Sequence, residues 1–247
     1  MILDINAFSD IGSKRRENQD AFFYAVAKNI GIFAVADGMG GHYRGDMASK
    51  MVISEISYWW KRTSPFLASI TSEEAINALE LEIRRINNYV VQQYRILEQQ
   101  GGTTLCAMLL HHNTYAAFNI GDSRLYCYEK HKLKQITRDD VWENSISYLA
   151  DSEKKQKDKR YGKLTKAIGI EKDITPSIVS NTLGRQMVFL LCSDGTYKNL
   201  KETDLYEALK KVRRPGDTEK QNEWLRTRIY EYGATDNMTV ITILTGI

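Results

Sequence analysis

The order of its apolar runs constrains this chain more than any other feature. Short runs rich in aromatic and β-branched residues follow one another through turn residues instead of alternating with helices. Asp20 to Ala27 (DAFFYAVA) is followed at once by Ile32 to Ala36 (IFAVA). Later, Thr103 to Leu110, Tyr115 to Ile120, Arg124 to Tyr128 and Leu133 to Thr137 come in succession. His112-Asn113 and the segment Glu129 to Lys132 read as hairpin turns between them. Ser177 to Thr182 and Met187 to Cys192 form another pair around Leu183-Gly184-Arg185-Gln186, and Met238 to Leu244 is a last strand. Strands joined in this way pair antiparallel, because parallel neighbours need a long crossover between them.

Two helical stretches separate the early strands from the middle ones. Asp46 to Lys61 reads as a helix carrying Tyr58, Trp59 and Trp60. In the next, Ile76, Leu79, Ile83, Ile86, Val90, Tyr94 and Leu97 recur at three- and four-residue steps, which puts them on one stripe. Ser72, Glu73 and Glu74 supply its acidic first turn, and Gly101 and Gly102 are expected to stop it. Two more helices are expected at Glu202 to Val212 and Asp217 to Tyr232. Each apolar stripe must bury against something. The expectation is an α+β fold with antiparallel sheets packed on each other and helices outside. The weak alternation from Met187 to Cys192 fits a strand buried on both faces.

Composition narrows the function classes. The 247 residues are 43% hydrophobic and 26% charged, and no Ser/Gly/Pro-rich linker interrupts them. One domain over residues 1–247 is expected, with a polar flap at about 139–163. A net charge of +3 is too small to argue for nucleic acid. The basic clusters at Lys154 to Arg160 and Lys210 to Arg214 read as solvated surface. The beginning, MILDINAFSD, has no basic region followed by an apolar stretch, so no signal peptide is read there. No apolar run reaches the roughly 18 residues of a membrane span. Cys106, Cys127 and Cys192 sit far apart in apolar runs, which suggests buried reduced thiols and a cytoplasmic protein.

Four aspartates stand out by position. Asp37 closes IFAVA, Asp122 follows YAAFNIG, Asp194 follows VFLLCS, and Asp236 precedes MTVITIL. Asp20 stands at the start of a further strand. Any one of them reads more often as a turn, since Asp-Gly commonly turns a chain. Together they are carboxylates at the edges of apolar strands, where a lone charge is costly and needs compensation. With no matching His or Cys cluster, a hard divalent cation held by oxygen fits best, Mg²⁺ or Mn²⁺ rather than zinc. The four histidines, His42, His111, His112 and His131, are dispersed.

The motifs then resemble a known family. SKRRENQD (Ser13 to Asp20), VADGMGGHYRG (Val35 to Gly45), GGTT (Gly101 to Thr104), GDSR (Gly121 to Arg124), LTKAIG (Leu164 to Gly169), LLCSDG (Leu190 to Gly195) and DNMT (Asp236 to Thr239) stand in one order. That order is similar to the metal-dependent protein phosphatases of the 2C type, in their bacterial form, through nearly the whole chain. The resemblance implies a four-layer αββα sandwich: two antiparallel β-sheets flanked by helix pairs. It implies hydrolysis of phosphoserine and phosphothreonine in proteins by a water or hydroxide bridging two metal ions. Asp37 would bridge both ions and the Gly38 carbonyl would reach one. Asp194 and Asp236 would complete the other site, and Asp20 would act through water. Asp122 resembles the residue that helps hold a third, weaker metal in bacterial members. Arg15 stands where the family keeps its phosphate-binding arginine, with Arg16 as the neighbouring register. The expected partners are phosphorylated proteins, substrates of a serine/threonine kinase, with no nucleic acid or membrane, and the chain is expected to be a monomer.

Some positions depart from the pattern. Met39 stands where animal members have a histidine, and His42, three residues on, is one candidate to protonate the leaving oxygen; a metal-bound water is the other. Gln19 replaces a common Glu, Asp140 replaces a histidine, and Lys198 stands where some relatives keep an extra Asp, which bears on the third metal or on substrate contacts. The glycines Gly38, Gly40, Gly41 and Gly45 are not followed by Lys-Ser/Thr, so a nucleotide P-loop is not supported. Two other readings compete with an active phosphatase. One is an idle, phosphoprotein-binding regulatory member of the same fold, which a failure to bind metal would favour. The other is a Mg²⁺-dependent nucleotide hydrolase, which a preference for ATP over phosphopeptide would favour.

Overall fold

The computed structural model describes residues 2–40, 44–146 and 158–246. Two sheets are built in it, and every registered strand pair is antiparallel. One sheet contains β2 (Asp20–Ala27), β3 (Ile30–Met39), β5 (Leu105–His111), β6 (Thr114–Ile120) and β9 (Ser177–Thr182), in that order, with the short β4 (Gly102–Thr103) beside β3. The other runs β1 (Ile2–Asp10), β11 (Met238–Gly246), β10 (Gln186–Cys192), β7 (Arg124–Glu129), β8 (Lys132–Gln135). The helices are α1 (Arg44–Leu67), α2 (Ser72–Ile96), the one-turn α3 (Trp142–Ser145) and α4 (Asp194–Tyr197), then α5 (Glu202–Lys211) and α6 (Asp217–Glu231).

Three apolar layers hold these elements together. Phe33, Val35, Met108, Phe189, Leu191 and Ile241 pack between the two sheets. Ile32 and Ala34, the alternate residues of β3, pack instead with Ile56, Leu79, Ile83 and Ile86 of α1 and α2. Val188, Leu190 and Cys192 of β10 pack with Leu205, Leu209 and Leu225 of α5 and α6. The sequence is therefore helix, sheet, sheet, helix, as expected. It also explains why β3 and β10 read as unbroken apolar runs: each serves two cores. The hairpin turns fall where expected. His112 (φ 53°), Lys130 (φ 49°) and His131 (φ 63°) take the left-handed backbone that tight hairpins require.

Three differences from the sequence reading have local causes. The first strand, β1, carries no clean apolar alternation, because its pairing with β11 shifts between Ile2 and Asp4. Two of its polar residues, Asp4 and Asn6, face α6 and find partners there. Asp4 Oδ2 accepts from Gly216 N at 2.8 Å, Thr218 N at 3.2 Å and Thr218 Oγ1 at 2.8 Å. Asn222 Nδ2 donates to Asn6 Oδ1 at 2.8 Å. Helix α1 continues past Lys61 to Leu67, taking Pro65 into its last turn. Helix α2 is capped by Thr71 in a reciprocal box with Glu74, and it ends at Ile96, before the glycines, as Glu98 turns left-handed (φ 52°).

Gly216, the residue at the N-cap of α6, has no side chain to satisfy the first free N–H groups, so Asp4 does it from a distant strand. Asp4→Ala is expected to cost about 1 kcal/mol, the usual worth of a helix cap. The readout is a lower urea midpoint at unchanged slope; an unmoved midpoint would show that α6 does not depend on this cap.

Candidate metal centre

Strand register brings the candidate carboxylates to one end of the sandwich. Asp20 opens β2 directly opposite Asp37 near the end of β3, and opposed residues of an antiparallel pair share a face. Cys192, the last residue of β10, is paired with Arg124 at the start of β7 and with Val240 near the start of β11. Asp194, Asp122 and Asp236 therefore emerge together from three adjacent strand ends. Asp10, the last residue of β1, pairs with Met238, so the loop that carries Arg15 leaves at the same end. Arg15, Asp37, Gly38, Asp122, Asp194 and Asp236 line one cavity of about 310 Å³, together with Thr104, Lys198 and Asn237. Asp20 lies behind this lining, buried. His42 lies outside the described residues, as does part of the expected flap, residues 147–157.

Several polar residues hold the acids in place, and sequence reasoning had assigned them no such role. The backbone of Asp37 is clamped from both sides: its N–H donates to Thr104 Oγ1 at 3.0 Å, and its carbonyl accepts from Thr104 N and Thr103 Oγ1, each at 2.9 Å. Thr104 Oγ1 is in turn 2.6 Å from Ser123 Oγ, which links the GGTT and GDSR segments. Ser193 Oγ donates to Asp20 Oδ2 at 2.6 Å and accepts from Thr239 N at 2.9 Å. Asn237 ties the Arg15 loop to β11 by donating to the carbonyls of Ile11 and Glu17, both at 2.9 Å, and accepting from Gln19 N at 2.9 Å. The signal for these roles was their place inside the motifs. Gly38 is required for close approach: a Cβ there would lie 2.2 Å from the carbonyl oxygen of Gly45.

The electrostatics of this cavity are unbalanced. Burial pushes the Asp37 carboxyl well above the usual carboxylate range, and the charges of Asp20, Asp194 and Asp122 push it further. Burial also lifts Asp20 to about 7, against the hydrogen bond from Ser193. One oxygen of Asp20, Oδ1, is buried with no hydrogen-bond partner among the described residues. Burial and the Asp194 charge raise Asp122 as well. Two cationic side chains offset part of this. Arg15 Nη2 donates to Asp236 Oδ2 at 2.6 Å, and Lys198 Nζ donates to Asp194 Oδ2 at 2.6 Å.

Oxygen-only donors, a buried orphan oxygen and mutually repelling acids fit a hard divalent cation. Among the described residues no three His, Cys, Asp or Glu side chains stand at the spacing of a finished cage. The reason is visible in the partners: Asp236 is turned to Arg15 and Asp194 to Lys198. Like charges spread unless a cation draws them in, and a backbone carbonyl and water complete such shells. His111 takes no part, since it is buried between Ser72 Oγ and the Leu67 carbonyl. The three cysteines are buried and free, as expected.

The raised carboxyls have a pH signature. In the folded state Asp20 and Asp37 keep their protons above the unfolded value of about 4. Folded chains then bind more protons than unfolded ones, so stability falls as pH rises from about 4 to about 7. The chelated protein should lose melting temperature across that window, and Asp20→Asn should flatten the loss. Mn²⁺ added above the window should restore it. A pH-independent melting temperature of the chelated wild type would contradict this.

Comparison with known proteins places the chain in a family. A model of the protein phosphatase 2C family matches residues 13–229. The serine/threonine phosphatase stp of Listeria monocytogenes serotype 4b is 32% identical over 240 residues, which is 95% of this chain and 93% of that protein. The serine/threonine protein phosphatase PstP of Mycobacterium tuberculosis is 30% identical over 98% of this chain and 45% of its own length. A crystal structure of PstP/Ppp from that organism matches with a TM-score of 0.82 at 25% identity, over 100% of both chains. A structure of the PstP catalytic domain in complex with two manganese ions matches with a TM-score of 0.79 at 26% identity, over 99% of both chains.

Proposed function

The chain belongs to the protein phosphatase 2C family and is a metal-dependent protein serine/threonine phosphatase, and we propose that its active centre is the acidic cavity at the end of the sandwich. In this reading Asp37, the Gly38 carbonyl, Asp194 and Asp236 hold two divalent ions, Mn²⁺ or Mg²⁺, with Asp20 behind them acting through water. The observation that carries it is the meeting of Asp37, Asp194 and Asp236, far apart in sequence, on one cavity whose acids lack enough positive charge. Ions bound there would supply acidified water and charge neutralisation for in-line displacement at phosphorus.

The chain's own residues do the rest. The backbone of Asp37 is clamped by Thr103 and Thr104, which fixes the point from which its carboxylate enters the cavity. Asp20 keeps its place through Ser193. Arg15 stands half exposed at the cavity, where its planar guanidinium suits two phosphate oxygens once Asp236 faces a cation instead. His42 is retained as one of two candidates that return a proton to the leaving serine or threonine oxygen, water being the other. Gly162 of the flap lines the cavity beside Leu164, which supports substrate selection by that segment.

The substrates are read as proteins phosphorylated by a serine/threonine kinase. The chain is read as a single catalytic domain, monomeric and cytoplasmic. Buried free thiols support the last point, and no described helix is long and apolar enough to cross a membrane.

Asp37→Asn should lower Mn²⁺-dependent kcat on a phosphothreonine peptide by about 10³-fold or more, since it removes charge from the reacting centre. Arg15→Ala should lower kcat/KM by roughly 10²-fold, the usual scale for one group that stabilises transition-state charge. Steady-state phosphate release measures both. Turnover undiminished by thorough chelation would defeat the proposal.

A further inference from the structure

One cation in the cavity has no part in the reading above. Lys198 follows α4, one helical turn after Asp194, and its N–H donates to the Asp194 carbonyl at 2.9 Å. Its side chain turns into the acidic end of the cavity. Nζ lies 2.6 Å from Asp194 Oδ2 and 3.2 Å from Asp122 Oδ2, so the ammonium joins two carboxylates from different strand ends. Asp122 is itself fixed, because its carbonyl accepts from the buried Tyr197 hydroxyl at 3.0 Å.

We propose that the Lys198 ammonium is a built-in cation occupying the space between Asp122 and Asp194, so that this centre takes two metal ions and excludes a third. The inference deepens the two-ion reading and rests on it. An additional ion held by Asp122 and Asp194 would have to sit between the same two carboxylates, with oxygens at about 2.0–2.6 Å. Nζ fills that space. A divalent ion and an ammonium a few ångströms apart repel each other, so one must leave.

Tethering favours the ammonium. It is attached one turn from Asp194, which gives it a high effective concentration, whereas an ion bound weakly through two carboxylates must compete from solution. Charge count favours it too. Two divalent ions offset four of the five negative charges of Asp20, Asp37, Asp122, Asp194 and Asp236, and Lys198 and Arg15 already exceed the remaining one. A further divalent ion would leave excess positive charge there, next to Arg15. The side chain is 53% exposed, so it has room to swing away, and competition with metal decides the matter.

Metal stoichiometry tests this without reference to turnover. The chelated full chain is titrated with Mn²⁺ by calorimetry up to millimolar concentration, and bound Mn²⁺ is counted by elemental analysis after equilibrium dialysis. Wild type is expected to take two ions per chain. Lys198→Ala and Lys198→Met are expected to take a third, weaker one, and Lys198→Arg is expected to stay at two. The Met variant keeps the aliphatic stem and carries the test if the Ala variant fails to fold. Three ions on wild type would overturn the inference and leave the two-ion reading standing. Two ions on both neutral variants would overturn it as well. No ion on wild type would overturn the two-ion reading, and this inference with it.

Discussion

Mutual repulsion among carboxylates at one end of the sandwich is the constraint on which the rest of the structure turns. Two like charges about 4 Å apart repel by about 4 kcal/mol at an effective dielectric of 20. A few such pairs rival the whole stability of a domain, about 5–15 kcal/mol. Burial makes the ionisation of Asp20, Asp37 and Asp122 harder, and the charge of Asp194 adds to the effect on all three. A fold that only needed to be stable would not gather them. Their presence makes sense as a standing demand for positive charge, met in part by Arg15 and Lys198 and, in the proposed reading, completed by divalent ions.

That demand explains the surrounding polar framework. A carboxylate repelled by its neighbours turns away unless its backbone and side chain are held. Thr103 and Thr104 hold Asp37, Ser193 holds Asp20, and Asn237 holds the loop that presents Arg15. Arg124 does related work at the rim. Its guanidinium grips the carboxylate of Asp139, with Nη2 at 2.7 Å, and stacks 3.6 Å over the Tyr197 ring, whose hydroxyl donates to the Asp122 carbonyl. The polar letters of the motifs are thus mostly braces for the acidic ones. The sandwich supplies the rigid frame, because β3 and β10 are each packed on both faces.

The layers and the acids were legible in the sequence for one reason: apolar runs ended abruptly at an aspartate. Asp37 and Asp194 close such runs and Asp236 stands just before one, and buried strands cannot carry a charge past their ends without a partner. The first strand was not legible. Its alternation is spoiled by a shift in register and by Asp4 and Asn6, whose partners are more than 200 residues away. The end of α2 was misread because glycine is the common stop, whereas Glu98 took the left-handed backbone here. Lys198 was legible as a departure from the family pattern, and its reach to Asp194 follows from helical spacing. Its second partner, Asp122, is 76 residues away and needed coordinates.

The central claim is that these carboxylates are ligands, and diffraction at the manganese absorption edge asks that directly. Crystals grown with Mn²⁺ should give anomalous peaks inside the cavity, bounded by Asp37, Asp194 and Asp236. A map with no anomalous density there, while the three side chains keep their salt bridges or turn to solvent, would contradict the account.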